Sequence, residues 1–329
     1  MAHNNTSDTA AWSYLTDTLA YNRYMGWYGS SPEGFGPWAD SIHAQRGDDA
    51  VGIMEYGAGA NPFQHQAPPL TAPEPYGTPH PEEYQSYYHE VYWMAMEQRP
   101  FIWCKTIWNG FDFAVDWRDE GSQIALNDKG MVTRDRAIKK DAFYWYKANW
   151  TTEPMVYITS RRFTPRSRCP QQVKVYSNCD SVELFVNNVS LGSRTADNHI
   201  FLWEGPVLLR PGANEIKAVG RLGPQDCIDT CNWDFEIQDA YAVEQVTAET
   251  YESANPPENT LDNDLSTRWS GWGYPWIEFD LGQSRQIDRV SMAFYKGYER
   301  VYTFDLQTAA DGQNWTPVLT GAQSSGNTS

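Results

Sequence analysis

The sequence has no run of 18 apolar residues, few cysteines and little positive charge, and each shortage excludes a class of protein. Without a long apolar run there is no transmembrane helix to predict. Lysine and arginine total 25 against 42 acidic residues, a net charge of −17. This balance argues against nucleic acid as a partner, because phosphate binding needs a basic face. The first residues also lack the basic and apolar segments of a signal peptide.

The cysteine count is five, so at least one thiol must be unpaired. Cys104 lies in an apolar run, which predicts a buried thiol. Cys227 and Cys231 are interpreted as bracketing a short loop, where they could pair in an oxidising compartment. The spacing does not favour zinc. The five positions are Cys104, Cys169, Cys179, Cys227 and Cys231.

Aromatic residues are abundant: 15 Trp, 20 Tyr and 13 Phe in 329 residues. Aromatic faces stack on the C–H faces of sugars, so this composition is consistent with carbohydrate binding. The alternative is ordinary core packing, since large rings bury much apolar area. Both interpretations stay open on composition alone.

The pattern of predicted helices and strands divides the chain into three regions. At roughly 150 residues per domain, the length alone suggests about two domains. Residues 1–150 alternate strands and helices, which predicts parallel βα units. Residues 151–240 and 241–329 contain short strands separated by turns, which predicts two β-sandwiches. The predicted helices are 81–98 and 141–149, and the predicted strands are 51–54, 101–108, 173–176, 182–186, 199–203, 214–219, 276–281, 290–294 and 304–308.

Glu55 follows the apolar strand 51–54 directly and precedes a turn containing Gly57 and Gly59. Retaining glycosidases use two carboxyl groups about 5 Å apart, one of them a nucleophile. In a (β/α)₈ barrel such groups lie at the carboxyl ends of the strands. Glu55 is therefore a candidate nucleophile, and the alternative is a solvated glutamate at a strand end.

The surrounding segments resemble glycoside hydrolase family 2, the family of β-galactosidases and β-glucuronidases. The resemblance covers 1–150 and implies part of a (β/α)₈ barrel. Region 151–240, with VKVYSN, VELFVNN and PGANEIKAVG, is similar to the immunoglobulin-like domain that follows this barrel in bacterial β-galactosidases. The segments that carry the first resemblance are YNRYMGWYG (21–29), VGIMEYGAGANPFQHQ (51–66), HPEEYQSYYHEVYWM (80–94), IWNGFDF (107–113) and NDKGMVTRDRAIKKDAFYWYKANW (127–150).

This resemblance implies roles for single residues. Glu55 is the implied nucleophile, and Tyr24 matches the tyrosine that hydrogen-bonds it. Asn22 lines the same strand end, and Trp108 matches the aromatic floor of the sugar subsite. Tyr24 and Trp108 have a second interpretation as core aromatics.

Asn127 and Lys129 form an Asn-x-Lys pattern. In β-glucuronidases this pattern meets the carboxylate of the substrate, whereas in galactosidase-like members it is a structural segment, the interpretation preferred here. His65, in the loop after Glu55, is predicted to be a surface residue, although it could reach substrate. His43 and His89 are left unassigned.

The proton donor of this family is a glutamate that follows an asparagine at the end of the fourth barrel strand. The only Asn-Glu dipeptide here is Asn214-Glu215, in the predicted sandwich. We therefore expect a fragment with about three of eight barrel strands. Because general acid help is worth roughly 10²–10⁴ in rate, the chain alone is expected to have negligible activity.

Residues 259–282 and 291–318 resemble the coagulation factor 5/8 C-type, or discoidin-like, domain, which includes carbohydrate-binding module family 32. We expect this module to be truncated. By resemblance, Asp262, Asp264 and Thr267 are candidate ligands of a structural Ca²⁺, which prefers oxygen ligands; the alternative is a plain Asx turn. Three aromatic residues are expected to stack on sugar: Trp272, Tyr274 and Trp276. Trp269 is expected to lie in the core.

The resemblance favours a retaining, β-galactosidase-like O-glycosyl hydrolase acting on terminal β-linked sugars of oligo- or polysaccharides. One alternative is a non-catalytic protein that binds glycans through its C-terminal module. The other is a β-glucuronidase that uses Asn127 and Lys129. No cofactor is needed for the chemistry, and a secreted or periplasmic location is expected, with the export signal lost.

Overall fold

A computed structural model describes residues 2–3, 8, 10–47, 50–167, 171–236, 241–262, 264, 266–287, 290–297 and 299–324. Cys169 lies outside the described residues. In this part of the chain, no helix has the length and apolarity to cross a membrane.

The N-terminal region contains a four-stranded parallel sheet in the order β1-β2-β3-β4, flanked by helices. The predicted parallel βα units are thus confirmed. The described residues form an open four-stranded sheet in which no closed barrel is seen, so that this sheet is part of a (β/α)₈ barrel stays a prediction. The elements are β1 (Ala2–His3), β2 (Thr18–Asn22), α1 (Phe35–Arg46), β3 (Ala50–Tyr56), α2 (Glu82–Glu97), β4 (Ile102–Ile107), β5 (Phe113–Ala114), β6 (Leu126–Asn127) and α3 (Asp141–Trp150).

Aromatic rings fill the core between this sheet and its helices. Tyr92 on α2 stacks on Phe35 at 4.3 Å and on Tyr88 at 4.4 Å between ring centroids. Tyr56 of β3 lies parallel to Tyr92 at 5.4 Å, and Trp145 on α3 is also buried. Much of the aromatic content of this region therefore serves core packing, as the alternative interpretation of composition expected.

The middle region is a β-sandwich of two antiparallel sheets, in the orders β10-β9-β12-β13 and β11-β8-β7. Alternate residues of both sheets share one core, for example Val173, Leu184, Ile216 and Trp233. The strands are β7 (Val156–Ile158), β8 (Gln171–Ser177), β9 (Ser181–Val186), β10 (Val189–Arg194), β11 (Ile200–Val207), β12 (Gly212–Leu222) and β13 (Gln225–Phe235).

The predictions for the cysteines are corrected. Cys227 and Cys231 do not bracket a loop, because both lie in the single strand β13. Cys227 instead lies 3.3 Å from Cys179 between the sulfurs, and both thiols are free. Cys104 is half-buried rather than buried, because it lies in β4, the edge strand of the sheet, where most side chains are only partly covered.

The C-terminal region consists of two antiparallel strand pairs, β14 (Gln245–Ala248) with β15 (Ile277–Asp280) and β16 (Thr303–Thr308) with β17 (Thr316–Gln323). The strand predicted at 290–294 is wrong: these residues have no regular structure. Val290 and Met292, apolar residues at alternate positions of this segment, are exposed. Among the described residues, no strand pairs with the segment.

Candidate active site

Glu55 and Tyr24 meet at the carboxyl edge of the parallel sheet. Glu55 is the last residue but one of β3, and Tyr24 lies two residues beyond the end of β2. The hydroxyl of Tyr24 donates a hydrogen bond of 2.8 Å to Glu55 Oε2. The amide of Arg23 donates to the Glu55 carbonyl at 2.8 Å, which fixes the two segments side by side. Burial, and then the neighbouring Glu55, raise the pKa of Tyr24 far above its usual value, so Tyr24 stays a donor.

Asn22 ends β2 and stands opposite Glu55 in the strand register. Its side-chain oxygen Oδ1 is buried and has no hydrogen-bond partner within the described structure. A buried acceptor without a partner is costly, and a hydroxyl-bearing ligand would satisfy it.

Trp108 follows β4 and reaches the same edge of the sheet. Its amide donates to the Tyr56 carbonyl at 2.9 Å. The backbones come close because residue 57 is glycine: a Cβ there would lie 2.0 Å from the Trp108 carbonyl oxygen. The Trp108 ring is half-buried and packs edge-on against Phe113 at 5.9 Å. The sheet thus brings Trp108 to the edge that carries Glu55.

Lys129 forms a buried ion pair that the sequence did not predict. Its Nζ donates to Glu120 Oε1 at 2.6 Å, and both side chains are 1% exposed. The same ammonium lies 5.0 Å from the ring centroid of Trp27 and 5.3 Å from that of Tyr28. Asn127 bonds the backbone of Lys129: its Oδ1 accepts the Lys129 amide at 3.2 Å. Burial lowers the pKa of Lys129, and Glu120 opposes the shift.

The ion pair lies beside the nucleophile candidate. The charges of Glu120 and of Arg118 both act on the pKa of Tyr24, and Tyr28 packs against Tyr24 at 5.3 Å. Arg118 donates to the second oxygen of Glu120 at 3.1 Å and is half-exposed. Sequence reasoning missed Glu120 and Arg118, because their loop has neither periodicity nor a recognisable motif.

A second buried network of hydrogen bonds, centred on Lys140, fixes the segment that carries Lys129. Lys140 donates to Asp112 Oδ1 at 2.8 Å, and to the Ala60 and Asp128 carbonyls at 2.7 Å each. Asp128 in turn is bound by His80 at 2.8 Å. Such a buried network fixes the loops that it joins, which suits a site that must hold its geometry.

The histidines and the acidic turn complete the set of candidates. His65 is half-buried and hydrogen-bonded to Glu83 at 3.0 Å, which corrects the surface position predicted for it. In the C-terminal region, Asp262 Oδ2 accepts from the Thr267 hydroxyl at 2.7 Å, and Asp264 Oδ1 accepts the Ser266 amide at 2.9 Å. The second of these bonds is that of an Asx turn, and the predicted Ca²⁺ site stays a prediction.

The three aromatic residues predicted to stack on sugar are accessible to solvent, and the stacking itself stays a prediction. Trp272 is 63% exposed and Tyr274 is fully exposed, with Trp276 next at 52%. Trp269 is half-buried, and its indole donates to the Thr250 carbonyl at 3.2 Å.

Comparison with protein-family models gives two matches. Residues 245–329 match the F5/8 type C domain, and residues 170–225 match a domain of unknown function, DUF4982.

Among curated proteins, the chain is similar to a β-glucuronidase of Bacteroides fragilis, with 42% identity over 207 residues, covering 62% of this chain and 30% of that protein. It is also similar to a β-galactosidase of Bacteroides ovatus, with 27% identity over 136 residues, covering 40% of this chain and 15% of the other. The chain therefore spans about a third or less of the length of these relatives.

Among solved structures, the fold is similar to an FMN-binding β-glucuronidase from Facaelibacterium prausnitzii L2-6, with TM-score 0.65, 38% identity and coverage of 73% of this chain and 35% of that one. A second is Bacteroides uniformis β-glucuronidase 2 bound covalently to cyclophellitol-6-carboxylate aziridine, with TM-score 0.60, 28% identity and coverage of 72% and 29%. A calcium-binding mutant of the same enzyme matches with TM-score 0.58, 28% identity and coverage of 72% and 28%.

Proposed function

Because this chain belongs to the glycoside hydrolase family 2 enzymes of the β-glucuronidase and β-galactosidase type and carries an F5/8 type C domain, we propose that it holds the nucleophile of a retaining β-glucuronidase. The observation that supports this proposal is the hydrogen bond from Tyr24 to Glu55 at the carboxyl edge of a parallel sheet. The sheet is then part of a (β/α)₈ barrel, and the sandwich that follows is the immunoglobulin-like domain of these enzymes.

In the proposed reaction, a Glu55 oxygen attacks the anomeric carbon of a β-linked sugar, and the bond to the leaving oxygen breaks. The sugar becomes an ester of Glu55, which water then hydrolyses with retention of configuration. Tyr24 holds the attacking carboxylate in place through its hydroxyl. Asn22 Oδ1 would accept a substrate hydroxyl, and Trp108 would form the apolar floor under the sugar ring. No cofactor takes part in these steps.

The proposed sugar is a glucuronide rather than the galactoside that the sequence analysis preferred. Among the curated relatives, the β-glucuronidase has greater identity and coverage than the β-galactosidase, and among solved structures the FMN-binding β-glucuronidase, at 38% identity, exceeds a putative β-galactosidase of Bacteroides fragilis, at 34%. The chain also offers cations to a sugar carboxylate, since Lys129 and Arg118 flank Glu120 beside Tyr24. Asn127 supports Lys129 by bonding its backbone amide. We therefore assign the sugar carboxylate to the side of the site where Lys129 and Arg118 lie.

Covalent labelling tests this function on the chain itself. Cyclophellitol-6-carboxylate aziridine, the reagent bound to the Bacteroides uniformis enzyme, should attach to Glu55, as found by mass spectrometry of the intact chain and its peptides. Glu55→Gln should abolish the label, and cyclophellitol aziridine without the carboxylate should label more slowly. Labelling of another residue, or equal labelling of Glu55→Gln, would contradict the assignment of the nucleophile. Faster labelling by the reagent without the carboxylate would contradict the glucuronide.

A second function is supported by the exposed aromatic side chains of the F5/8 type C domain. Trp272 and Tyr274 present their rings to solvent, where they could stack on a sugar. We propose that this module binds glycan whether or not Glu55 reacts. Retention of the chain on a glycan array without labelling of Glu55 would favour binding as its sole function.

A further inference from the structure

A cavity of about 440 Å³ lies between the loop that follows β3 and the segment that joins β7 to β8 of the β-sandwich. One wall is formed by residues 65–69, and the other by Phe163, Arg166, Ser167 and Gln171. None of these residues belongs to the machinery proposed for sugar cleavage. The volume falls in the range of sites for small organic ligands, about 300–1,000 Å³.

Arg166 is the charged group of this cavity, and it is only 5% exposed. Its two terminal nitrogens donate to neutral acceptors, Gln171 Oε1 at 2.8 Å and the Ser160 carbonyl at 2.8 Å. Its Nε is buried without a hydrogen-bond partner in the part of the chain that the structure describes. Burial lowers the pKa of Arg166 to about 10, so the guanidinium is still charged at neutral pH.

The two carboxylates whose charges raise the pKa of Arg166, Glu83 and Asp141, are hydrogen-bonded to other groups. Glu83 is hydrogen-bonded to His65 at 3.0 Å and to the Gln66 amide at 3.1 Å. Asp141 is paired with Arg162 at 2.9 Å. A buried cation that is not paired with an anion is costly, because burial removes its hydration without replacement. In the part of the chain that the structure describes, Arg166 has no anionic partner, and its guanidinium instead stacks on Trp233 at 3.5 Å and on Phe163 at 5.0 Å from the ring centroids.

The rest of the cavity wall has a polar part at His65 and an apolar part at Pro68 and Pro69. His65 adds a second buried nitrogen without a partner, Nε2, and its ring stacks on Phe163 at 5.0 Å. Pro68 and Pro69 form an apolar face of the cavity. A ligand that fits these walls carries an anionic group and an apolar body.

We propose that this cavity binds a small organic anion, with its carboxylate or phosphate group facing Arg166 and its apolar part against Pro68 and Phe163. This site goes beyond the proposed hydrolysis, and the ligand is not the sugar that Glu55 attacks. A guanidinium pairs with either oxyanion through parallel hydrogen bonds, so the shared chemistry is the oxyanion.

Binding is tested by isothermal titration calorimetry of the full chain with four probes: phenyl phosphate, benzoate, inorganic phosphate and neutral phenyl β-glucoside. We expect one of the two aromatic anions to bind at least about tenfold more tightly than phenyl β-glucoside, because only an anion can accept a charge-assisted hydrogen bond from Arg166. The stronger of phenyl phosphate and benzoate identifies the oxyanion. Binding of phosphate equal to that of phenyl phosphate would refute the apolar subsite.

Two variants and a control variant separate this site from a structural role of Arg166. Arg166→Gln should lose at least about tenfold in affinity, with circular dichroism showing whether it folds. Ser167→Glu places a negative charge at the exposed rim without touching the bonds of Arg166, and it should lose affinity in a folded chain. Arg194→Gln removes a cation from the same sandwich, away from the cavity, and should bind as the parent does. No binding by the parent chain, or unchanged binding by Ser167→Glu, would overturn the proposal.

Discussion

Gly57 is the residue that allows β3 to be followed so closely by the Trp108 segment. A methyl group at this position would lie 2.0 Å from the Trp108 carbonyl oxygen, a contact that the backbone must move to relieve. We expect Gly57→Ala to lower the free energy of unfolding by about 1–3 kcal/mol, the usual cost of overpacking, and to slow aziridine labelling of Glu55. Urea unfolding and the labelling rate measure both effects.

Gly110 provides the matched control for that substitution. It lies in the same loop as Trp108, and a Cβ built there meets nothing within 4 Å. Gly110→Ala should therefore leave both stability and labelling near the values of the parent chain. If the two alanine variants label Glu55 at the same rate, the close approach at Gly57 does not control the site.

At the scale of single residues, the sequence located the centre of the candidate site but not its surroundings. Glu55 and Tyr24 carry a motif at the end of a strand, and the structure joins them by a hydrogen bond. Glu120 could not be predicted, because its partner Lys129 comes close only through the path of the loop between β5 and β6. Burial of that pair depends on tertiary packing, which no local pattern encodes.

At the scale of elements, the spacing of apolar residues predicted a helix or strand correctly where that element packs against its neighbours. The helix predicted over 81–98 is α2, Glu82–Glu97, because its tyrosines recur on the face that meets the sheet. The strand predicted over 51–54 extends to Tyr56, so Glu55 lies within the strand end rather than after it. Alternation at 290–294 gave a wrong prediction, since alternation alone does not supply a partner strand.

The packing of α2 against α3 predicts a dependence of stability on pH. His89 of α2 is fully buried, and its Nδ1 is hydrogen-bonded to the Tyr146 hydroxyl of α3 at 2.8 Å. Burial, with a smaller effect of Lys140, lowers the pKa of His89 to about 3. In the unfolded chain the pKa is about 6.5, so below this pH the unfolded state binds the extra proton. Stability is therefore lost as pH falls from about 6.5 toward 3.

Between pH 7 and pH 5 this histidine should reduce the free energy of unfolding by about 2 kcal/mol. Urea unfolding of the parent chain and of His89→Gln at both pH values isolates the contribution, because other titrating groups are common to the two. The difference between the chains should shrink at pH 5. Parallel pH dependences of the two chains would show that His89 is not held neutral by the fold.

At the scale of the whole molecule, the chemistry of the chain depends on which carboxylates can exchange a proton with substrate. Glu120 is the other described carboxylate whose charge acts on Tyr24. Both of its oxygens are bound by cations, Oε1 by Lys129 at 2.6 Å and Oε2 by Arg118 at 3.1 Å, which leaves it poorly placed to give a proton to a leaving group. The Asn214-Glu215 dipeptide lies in β12 of the sandwich, in a different part of the fold from Glu55. The residues described thus supply the proposed nucleophile, Glu55, and no carboxyl group placed to act as its acid.

A nucleophile without an acid should discriminate between leaving groups. Dinitrophenolate leaves without a proton, whereas a methoxide must be protonated as it departs, and general acid help is worth roughly 10²–10⁴ in rate. We expect the chain to release dinitrophenol from dinitrophenyl β-glucuronide in a burst that depends on Glu55, and to leave methyl β-glucuronide essentially uncleaved. Glu55→Gln should abolish the burst. Steady turnover of the methyl glucuronide at a normal enzymatic rate would mean that a carboxyl group of this chain, Glu120 first among them, serves as the acid after all, and Glu120→Gln would then identify it.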